Sequence, residues 1–345
     1  MTIAINKIIL NEKRNVTLTA MLQSVGGEFG EIHHRPAILI LPGGGYSMCS
    51  DREAEVIAYP FLHAGYQAFA LRYSVKENRT WPNPLADYEQ AITLIREKTD
   101  EWHVITDKIA VIGFSAGGHL AACAATVSKE KPNAAILGYA AMEQDISNTI
   151  QPNTDVPSPT AFVDNKTPPC FLFAARDDMV VPVHNTLNFQ LALTRFGIQF
   201  ESHIYAYGGH GFGTGVKSIA GDSICSRIPS WAGDAVGWLE DVFGVLTPKG
   251  MAAPVCPRKI CGDYEETLSV DCTYGYMKNQ AAVDEILSEF YAIVAGVIQT
   301  RFSGNPKAIE ILNGMTVREM MQVVGFSREK IMGINHQLQE LKSKH

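Results

Sequence analysis

The sequence predicts an α/β fold, in which helices cover both faces of a mostly parallel sheet, followed by a small all-helical C-terminal part. Three observations lead to this prediction. Between residues 36 and 243, short apolar runs typical of buried strands alternate with segments of helical periodicity. Glycine-rich and polar motifs follow several of these runs, as expected where the carboxyl ends of parallel strands form a site. Beyond residue 264, apolar residues recur only at helical spacing.

The composition is that of a folded protein with a substantial core: 46% of the 345 residues are hydrophobic and 19% are charged. The formal net charge is −7, and no dense run of lysine and arginine is present, which argues against nucleic acid or an anionic membrane as a partner. No apolar run approaches the roughly 18 residues of a membrane span. The first residues lack the pattern of a secretion signal. Seven scattered cysteines predict reduced thiols in a cytoplasmic protein.

The elements begin with two strands that only a short polar turn connects, which predicts an antiparallel edge. The later strands are fully apolar runs, and such runs lie inside parallel sheets. Strands are predicted at residues 4–10, 16–22, 36–41, 67–73, 108–112, 134–140, 170–175 and 200–206. Helices are predicted at residues 51–61, where Ser50 and Glu53 have capping-box spacing, and at 85–98, 116–125, 183–196 and 228–243.

The segment from Lys108 to Leu120 carries the central motif. A β-branched run breaks at Gly113 into small residues that open a helix, so Ser115 lies at the bend. The spacing Gly113-x-Ser115-x-Gly117 is typical of a nucleophile elbow, in which glycines remove the Cβ atoms that would clash in a sharp turn. Such a turn exposes the serine hydroxyl and directs the first helical amides, beginning with Ala116, toward developing negative charge.

Three other strand ends carry residues that a nucleophilic serine needs. Pro42-Gly43-Gly44-Gly45-Tyr46 follows the strand at 36–41, and consecutive glycines allow backbone N–H groups to approach a ligand. Asp177 and Asp178 follow the strand at 170–175, and His210 lies in a glycine-flanked loop after the strand at 200–206. We prefer Asp178 to Asp177 as the acid because the spacing Asp178-x-Val180-Val181-Pro182 is similar to that of the usual acid loop in folds of this type. The order serine, acid, histidine predicts a catalytic triad of Ser115, Asp178 and His210.

Other candidates are weaker. His184 opens a helix, His203 lies within a strand, and His119 follows the elbow into a helix, where a packed histidine is more common than a base. Cys256, Cys261 and Cys272 lack the paired spacing of zinc sites, so neither a metal nor a cofactor is predicted. The irregular segment from 142 to 167 is predicted to be a lid or a substrate wall.

The predicted domain organisation is a catalytic domain at residues 1–245, a linker at 246–264 and a small helical domain at 265–345. The linker is rich in proline and has no periodicity. The helical part has four predicted helices: 281–298, 307–312, one opened by the capping box Thr316–Glu319, and 327–341. Its apolar faces exceed what about 80 residues can bury alone, so it is expected to pack on the catalytic domain or to form a homo-oligomer.

Residues 35–245 resemble the α/β-hydrolase superfamily, and within it the small acetyl esterases related to acetylxylan esterases and feruloyl-esterase-like proteins. The motifs that carry the resemblance are Pro42-Gly-Gly-Gly-Tyr46, Arg52-Glu53, Leu71-Arg-Tyr73, Gly113-Phe-Ser-Ala-Gly-Gly-His-Leu120, Asp177-Asp-Met-Val-Val-Pro182 and Gly209-His-Gly-Phe-Gly213.

The resemblance implies a serine carboxylic-ester hydrolase that removes acetyl groups from sugars. It implies Ser115, Asp178 and His210 as the triad and the amides of Gly44, Gly45 and Ala116 as the oxyanion hole. Four bulky residues near the predicted loops are expected to restrict the acyl pocket to small groups: Tyr46, Met48, Trp81 and Phe114. Tyr46, Trp81 and Phe114 are also expected to bind substrate.

Two alternatives stay open from the sequence. An arylformamidase or a peptidase of the same fold would share all of these motifs. A non-catalytic binding protein of this fold usually lacks the histidine, whereas serine, acid and histidine are all present here. An enzyme is therefore the expected class.

Overall fold

The computed structural model describes residues 2–144, 156–256, 262–263, 267–302 and 305–342. The chain divides into two compact units, residues 1–256 and residues 257–345. Within the described ranges, no helix combines the length and the apolar character that crossing a bilayer requires. Each unit has its own hydrophobic core.

The first unit is built on an eight-stranded sheet with the strand order β1-β2-β4-β3-β5-β6-β7-β8. β1 pairs with β2 and β2 with β4 in antiparallel register, and every other neighbouring pair is parallel. The predicted fold class, including the antiparallel edge, is thereby confirmed. The strands are β1 (Ile3–Asn11), β2 (Val16–Gln23), β3 (Arg35–Leu41), β4 (Gln67–Arg72), β5 (Val104–Phe114), β6 (Ala134–Gly138), β7 (Cys170–Ala175) and β8 (Phe200–Tyr205).

Helices pack on both faces of this sheet because the central strands are apolar on both sides. In β3, Leu39 and Leu41 belong to the core on one face, whereas Ile38 and Ile40 belong to the core on the other. The helices of the first unit are α1 (Ala58–His63), α2 (Asn83–Glu97), α3 (Thr99–Trp102), α4 (Ser115–Thr126), α5 (His184–Arg195), α6 (Lys217–Ala220) and α7 (Trp231–Phe243).

The helix predicted at residues 51–61 does not form as one element. Two short 3-10 turns, Asp51–Glu53 and Glu55–Ile57, precede α1, and the Ser50 side chain caps neither. The reason is that the Glu53 carboxylate does not turn back to its own helix start. It is buried and accepts hydrogen bonds from residues distant in sequence.

Residues 246–256, which the sequence places in a linker, belong to the first compact unit. They form a two-stranded ribbon of β9 (Leu246–Thr247) and β10 (Gly250–Met251), and Met251 packs against the core. The backbone N–H of Glu31 donates to the carbonyl of Pro248 at 2.9 Å. Residues 257–261 and 264 of the predicted linker, with Cys261, lie outside the described residues. So do residues 265–266 of the predicted helical domain and 145–155 of the predicted lid.

The second unit is helical in its described part, which agrees with the pattern of the sequence. The capping box is formed: the Thr316 side chain accepts from the N–H of Glu319, whose carboxylate accepts from the N–H of Thr316. A short helix absent from the prediction precedes the four predicted ones. The helices are α8 (Tyr274–Met277), α9 (Asp284–Arg301), α10 (Pro306–Gly314), α11 (Val317–Val323) and α12 (Arg328–Gln339).

The contacts of residues 246–256 predict where the chain can be cut. A fragment ending at Cys256 should unfold cooperatively, because it keeps the ribbon and the contacts of Pro248 and Met251. A fragment ending at Gly244 should have a midpoint lower on the order of 5 °C, since those contacts are lost. Thermal unfolding followed by circular dichroism checks this. Equal midpoints for the two fragments would contradict it.

Candidate active site

Ser115 lies at the sharp turn between β5 and α4 and has a φ of +53°, in the left-handed region that non-glycine residues rarely adopt. The surrounding packing holds this conformation. A Cβ atom at Gly113 would overlap the carbonyl oxygen of Gly117, and one at Gly117 would overlap the carbonyl oxygens that end β3. Both glycines of the predicted elbow are therefore required by close backbone contact.

The structure brings the three predicted triad residues together. The Oγ atom of Ser115 lies 2.8 Å from Nε2 of His210, and Nδ1 of His210 lies 2.7 Å from Oδ2 of Asp178. The Asp178 side chain is fully buried. Its other oxygen, Oδ1, accepts from the backbone N–H groups of Val180 and Val181 at 2.9 Å each. A carboxylate fixed in this way holds the imidazole with its Nδ1 protonated, which leaves Nε2 free to accept the serine proton.

Asp177 has a separate position. It is exposed, and its Oδ1 accepts from the N–H groups of Gly208 and Gly209 at 2.9 and 3.0 Å. These hydrogen bonds, that of Gly209 foremost, hold the pKa of Asp177 below its usual value. Asp177 therefore fastens the loop that carries His210, whereas Asp178 contacts the imidazole itself.

The glycine-rich loop lies beside the serine. Gly44 and Gly45 both have positive φ, +125° and +61°, and both line the pocket that contains Ser115. In the described chain, neither glycine donates its backbone N–H to a protein acceptor. Ala116 stands in the first turn of α4, where backbone N–H groups have no partner within the helix. Three amides are thus available near the serine oxygen.

The pocket has a volume of about 500 Å³, which is within the usual size of small-molecule sites. Ser115 and His210 both line it, and the other lining residues come from the segments 44–53, 180–181 and 210–211. The lining residues are Gly44, Gly45, Met48, Ser50, Asp51, Arg52, Glu53, Ser115, Val180, Val181, His210 and Gly211.

The three bulky residues expected to bind substrate do not line this pocket. Tyr46 and Phe114 are fully buried, and Phe114 packs edge-on against Phe173 with ring centres 6.0 Å apart. Trp81 is half-buried and its ring meets the ring of His119 edge-on. The side chains of Tyr46 and Phe114 turn into the core, where their large apolar rings are removed from water. Met48, which was also expected to restrict the acyl pocket, does line it, together with Val180 and Val181.

His119 has the packed position that the sequence favoured. Its Nε2 lies 3.0 Å from the carbonyl oxygen of Pro157, and its Nδ1 lies 2.8 Å from the hydroxyl of Tyr46. Burial lowers the pKa of His119 to about 4, so the imidazole is neutral near pH 7. The neutral ring donates to Pro157 and accepts from Tyr46, which anchors the end of the glycine-rich loop.

Sequence reasoning missed a buried contact between two loops of the site. Glu53 accepts from the N–H of Gly43 at 3.0 Å and from the hydroxyl of Tyr139 at 2.6 Å. The same hydroxyl accepts from the N–H of Gly213 at 3.0 Å. Burial and the Glu53 carboxylate raise the pKa of Tyr139 well above 10, so its hydroxyl stays protonated and donates. The sequence predicts a capping box for Glu53 because its spacing from Ser50 fits one.

Comparison with known proteins agrees with this geometry. The family model described as BD-FAE matches residues 30–157. An acetylxylan esterase of Xylanibacter ruminicola is 29% identical over an alignment of 230 residues that covers 61% of this chain and 48% of that protein. The chain spans half or less of the length of the first curated relatives that it matches.

Two solved structures cover the first unit. The α/β hydrolase MGS-M1, from a Medee basin deep-sea metagenome library, is 41% identical with a TM-score of 0.64, covering 70% of this chain and 98% of that one. An acetyl ester-xyloside bifunctional hydrolase from Caldicellulosiruptor lactoaceticus is 26% identical with a TM-score of 0.60, covering 69% and 96%. The resemblance to esterases of this fold, predicted from the motifs, is thereby confirmed. At this identity over nearly the whole of a solved relative, the chain belongs to the α/β-hydrolase family of enzymes.

Proposed function

We propose that the protein is a serine carboxylic-ester hydrolase that removes O-acetyl groups from sugars or xylo-oligosaccharides. The observation that carries the proposal is the hydrogen-bonded chain from Ser115 through His210 to Asp178, which opens on a pocket beside free backbone amides. A serine, a base, an acid that orients the base and donors for an oxyanion are the parts that acyl transfer needs.

In the proposed acylation, Oγ of Ser115 attacks the carbonyl carbon of the ester while Nε2 of His210 takes the hydroxyl proton. The negative charge that develops on the carbonyl oxygen is stabilised by the amides of Gly44, Gly45 and Ala116. When the intermediate collapses, the bond to the sugar oxygen breaks, and His210 gives its proton to the leaving alcohol. The acetyl group is then bound to Ser115.

In the proposed deacylation, a water molecule attacks the acetyl carbon and gives a proton to Nε2 of His210. Collapse of the second intermediate returns that proton to Oγ of Ser115 and releases acetic acid, which loses its remaining proton to water to give acetate. The imidazole is positively charged in both transition states. The buried carboxylate of Asp178 lies against it and stabilises that charge.

The substrate class rests on two relatives, one named an acetylxylan esterase and the other an acetyl ester-xyloside bifunctional hydrolase. A pocket of about 500 Å³ suits a small acyl group together with a sugar unit. We also propose a cytoplasmic location, since every described cysteine is a free thiol.

Ester hydrolysis tests the nucleophile. Ser115→Ala should lower turnover of 4-nitrophenyl acetate by roughly 10⁴–10⁶, because only the attacking oxygen is removed. The thermal midpoint should not fall, since alanine fits the small-residue turn. The assay compares the variant with the wild type, on acetylated xylo-oligosaccharides as well as on the aryl ester. A variant that keeps a tenth of the activity would place the nucleophile elsewhere.

The two adjacent aspartates form a matched pair. Asp178→Asn should lower turnover on the order of 10⁴, because an amide cannot hold Nδ1 of His210 protonated in the same way. Asp177→Asn should lose far less, since its amide oxygen can still accept from Gly208 and Gly209. Steady-state kinetics of both variants on one ester decide between the two acids. Equal losses, or the reverse order, would mean that the acid has been misassigned.

Acyl length tests the substrate class. Acetyl esters should be hydrolysed faster than butyryl esters and much faster than octanoyl esters, because the proposed substrate carries an acetyl group and Met48, Val180 and Val181 line the pocket that contains Ser115. Values of kcat/KM for the three 4-nitrophenyl esters, measured beside an anilide and an N-formyl arylamine, check this. Preference for the octanoyl ester, or for either amide, would overturn the acetyl esterase proposal.

A further inference from the structure

We infer that Glu53 is a positioning residue that holds two loops of the active site together. One is the oxyanion loop, residues 42–46, and the other is the histidine loop, residues 207–213. The inference rests on the proposed function, in which the first loop supplies the oxyanion donors and the second supplies the base. Glu53 itself is 3% exposed, although it forms part of the pocket wall.

On the oxyanion loop, the contact is with Gly43, the residue before the two proposed donors. The N–H of Gly43 donates to Oε2 of Glu53 at 3.0 Å, and the carbonyl of Gly43 accepts from the N–H of Ser50 at 2.9 Å. The N–H and the carbonyl of Gly43 are therefore both hydrogen-bonded to residues of the turn 50–53. A Cβ atom at Gly43 would lie 2.5 Å from Oε2, so only glycine lets the carboxylate come this close. Because Gly43 is held in this way, the contact also orients the N–H groups of Gly44 and Gly45, which follow it.

On the histidine loop, the contact passes through Tyr139. Its hydroxyl donates to Oε1 of Glu53 at 2.6 Å and accepts from the N–H of Gly213 at 3.0 Å. Its ring lies against the imidazole of His210, with ring centres 5.1 Å apart. One buried carboxylate thus fixes the amides on one side of the serine and, through one tyrosine, the base on the other side.

The chemistry requires a carboxylate at this position. Each oxygen of Glu53 faces a donor, the N–H of Gly43 on one side and the O–H of Tyr139 on the other. A glutamine has one oxygen and one NH₂ group, so only one of the two contacts can keep its acceptor. If the NH₂ group faces Gly43, two donors meet; if it faces Tyr139, the hydroxyl proton loses its acceptor. A buried donor without an acceptor is costly, and the loop that carries it is expected to move.

The experiment compares Glu53→Gln with the wild type in two measurements. The first is the rate at which diethyl 4-nitrophenyl phosphate labels Ser115, followed by 4-nitrophenolate release and by the mass of the intact protein. In this step Oγ of Ser115 forms a bond to phosphorus, the bond to the aryl oxygen breaks, and the serine proton goes to His210. The second is the steady-state hydrolysis of 4-nitrophenyl acetate.

We expect labelling and kcat of Glu53→Gln to fall on the order of 10²-fold, while KM stays close to that of the wild type, because misplaced donors act on the transition state rather than on binding. Asp87→Asn is the matched control. Asp87 is also a fully buried carboxylate, and it accepts from the N–H of Ser74 at 2.8 Å and binds Arg14, but it does not line the pocket. This control should lose stability without losing labelling rate.

Labelling and kcat within a few-fold of the wild type would overturn the inference, as would an equal loss in Asp87→Asn. If Glu53→Gln does not fold, Tyr139→Phe replaces it, since that variant removes only the hydroxyl and should also slow labelling; an unchanged rate overturns the inference. A wild-type chain that is labelled but hydrolyses no ester contradicts the proposed function, and the labelling rates still decide the role of Glu53. A wild-type chain that is not labelled overturns both.

Discussion

The catalytic unit depends on the close contact between the start of α4 and the ends of β3 and β5. Gly117 lies so near the carbonyl oxygens of Leu41 and Pro42 that a single methyl group would not fit between them. The contact places Ser115 in its strained conformation, with a cost on the order of 1–3 kcal/mol that the packed sheet must offset. Since Pro42 begins the oxyanion loop, the same contact sets the distance between the serine and the amides beside it.

The oxyanion loop has few side chains of its own, so residues from the surrounding framework hold it by its polar atoms. The hydroxyl of Tyr73 donates to the carbonyl of Pro42 at 2.6 Å, at the start of the loop. Glu53 binds the middle, and His119 binds Tyr46 at the end. All three anchoring side chains are buried, where a hydrogen bond is stronger than in water. Glycines give the loop its shape, and buried polar groups prevent it from taking other shapes.

Local patterns were sufficient for the fold and for which residues meet at the serine. The carboxyl ends of parallel strands lie at the same edge of the sheet, so the motifs that follow β5, β7 and β8 are expected to lie near one another. In the structure His210 is within hydrogen-bond distance of both Ser115 and Asp178. Side-chain direction was not available from the same patterns. Tyr46 lies in the loop after β3 and Phe114 is the last residue of β5, where site residues are expected, but both side chains are buried in the core.

Glu53 shows why a local signal can mislead. Its spacing from Ser50 satisfies the capping-box rule, and Thr316 and Glu319 form such a box with the same spacing. The difference lies outside the segment: a glycine amide and a tyrosine hydroxyl, far away in sequence, compete for the carboxylate. A tertiary contact of this kind has no periodicity and no fixed spacing.

The buried imidazole of His119 has a consequence for proton measurements on this enzyme. It stands behind the oxyanion loop, and its pKa of about 4 keeps it uncharged at any pH at which the catalytic unit would ordinarily be assayed. An imidazole signal in the nuclear magnetic resonance spectrum whose titration midpoint lies between about pH 6 and 8 is therefore not expected from His119. A signal of this kind that also responds to labelling of Ser115 would be assigned to His210, the histidine proposed to exchange protons with the substrate, without interference from the one that supports the loop.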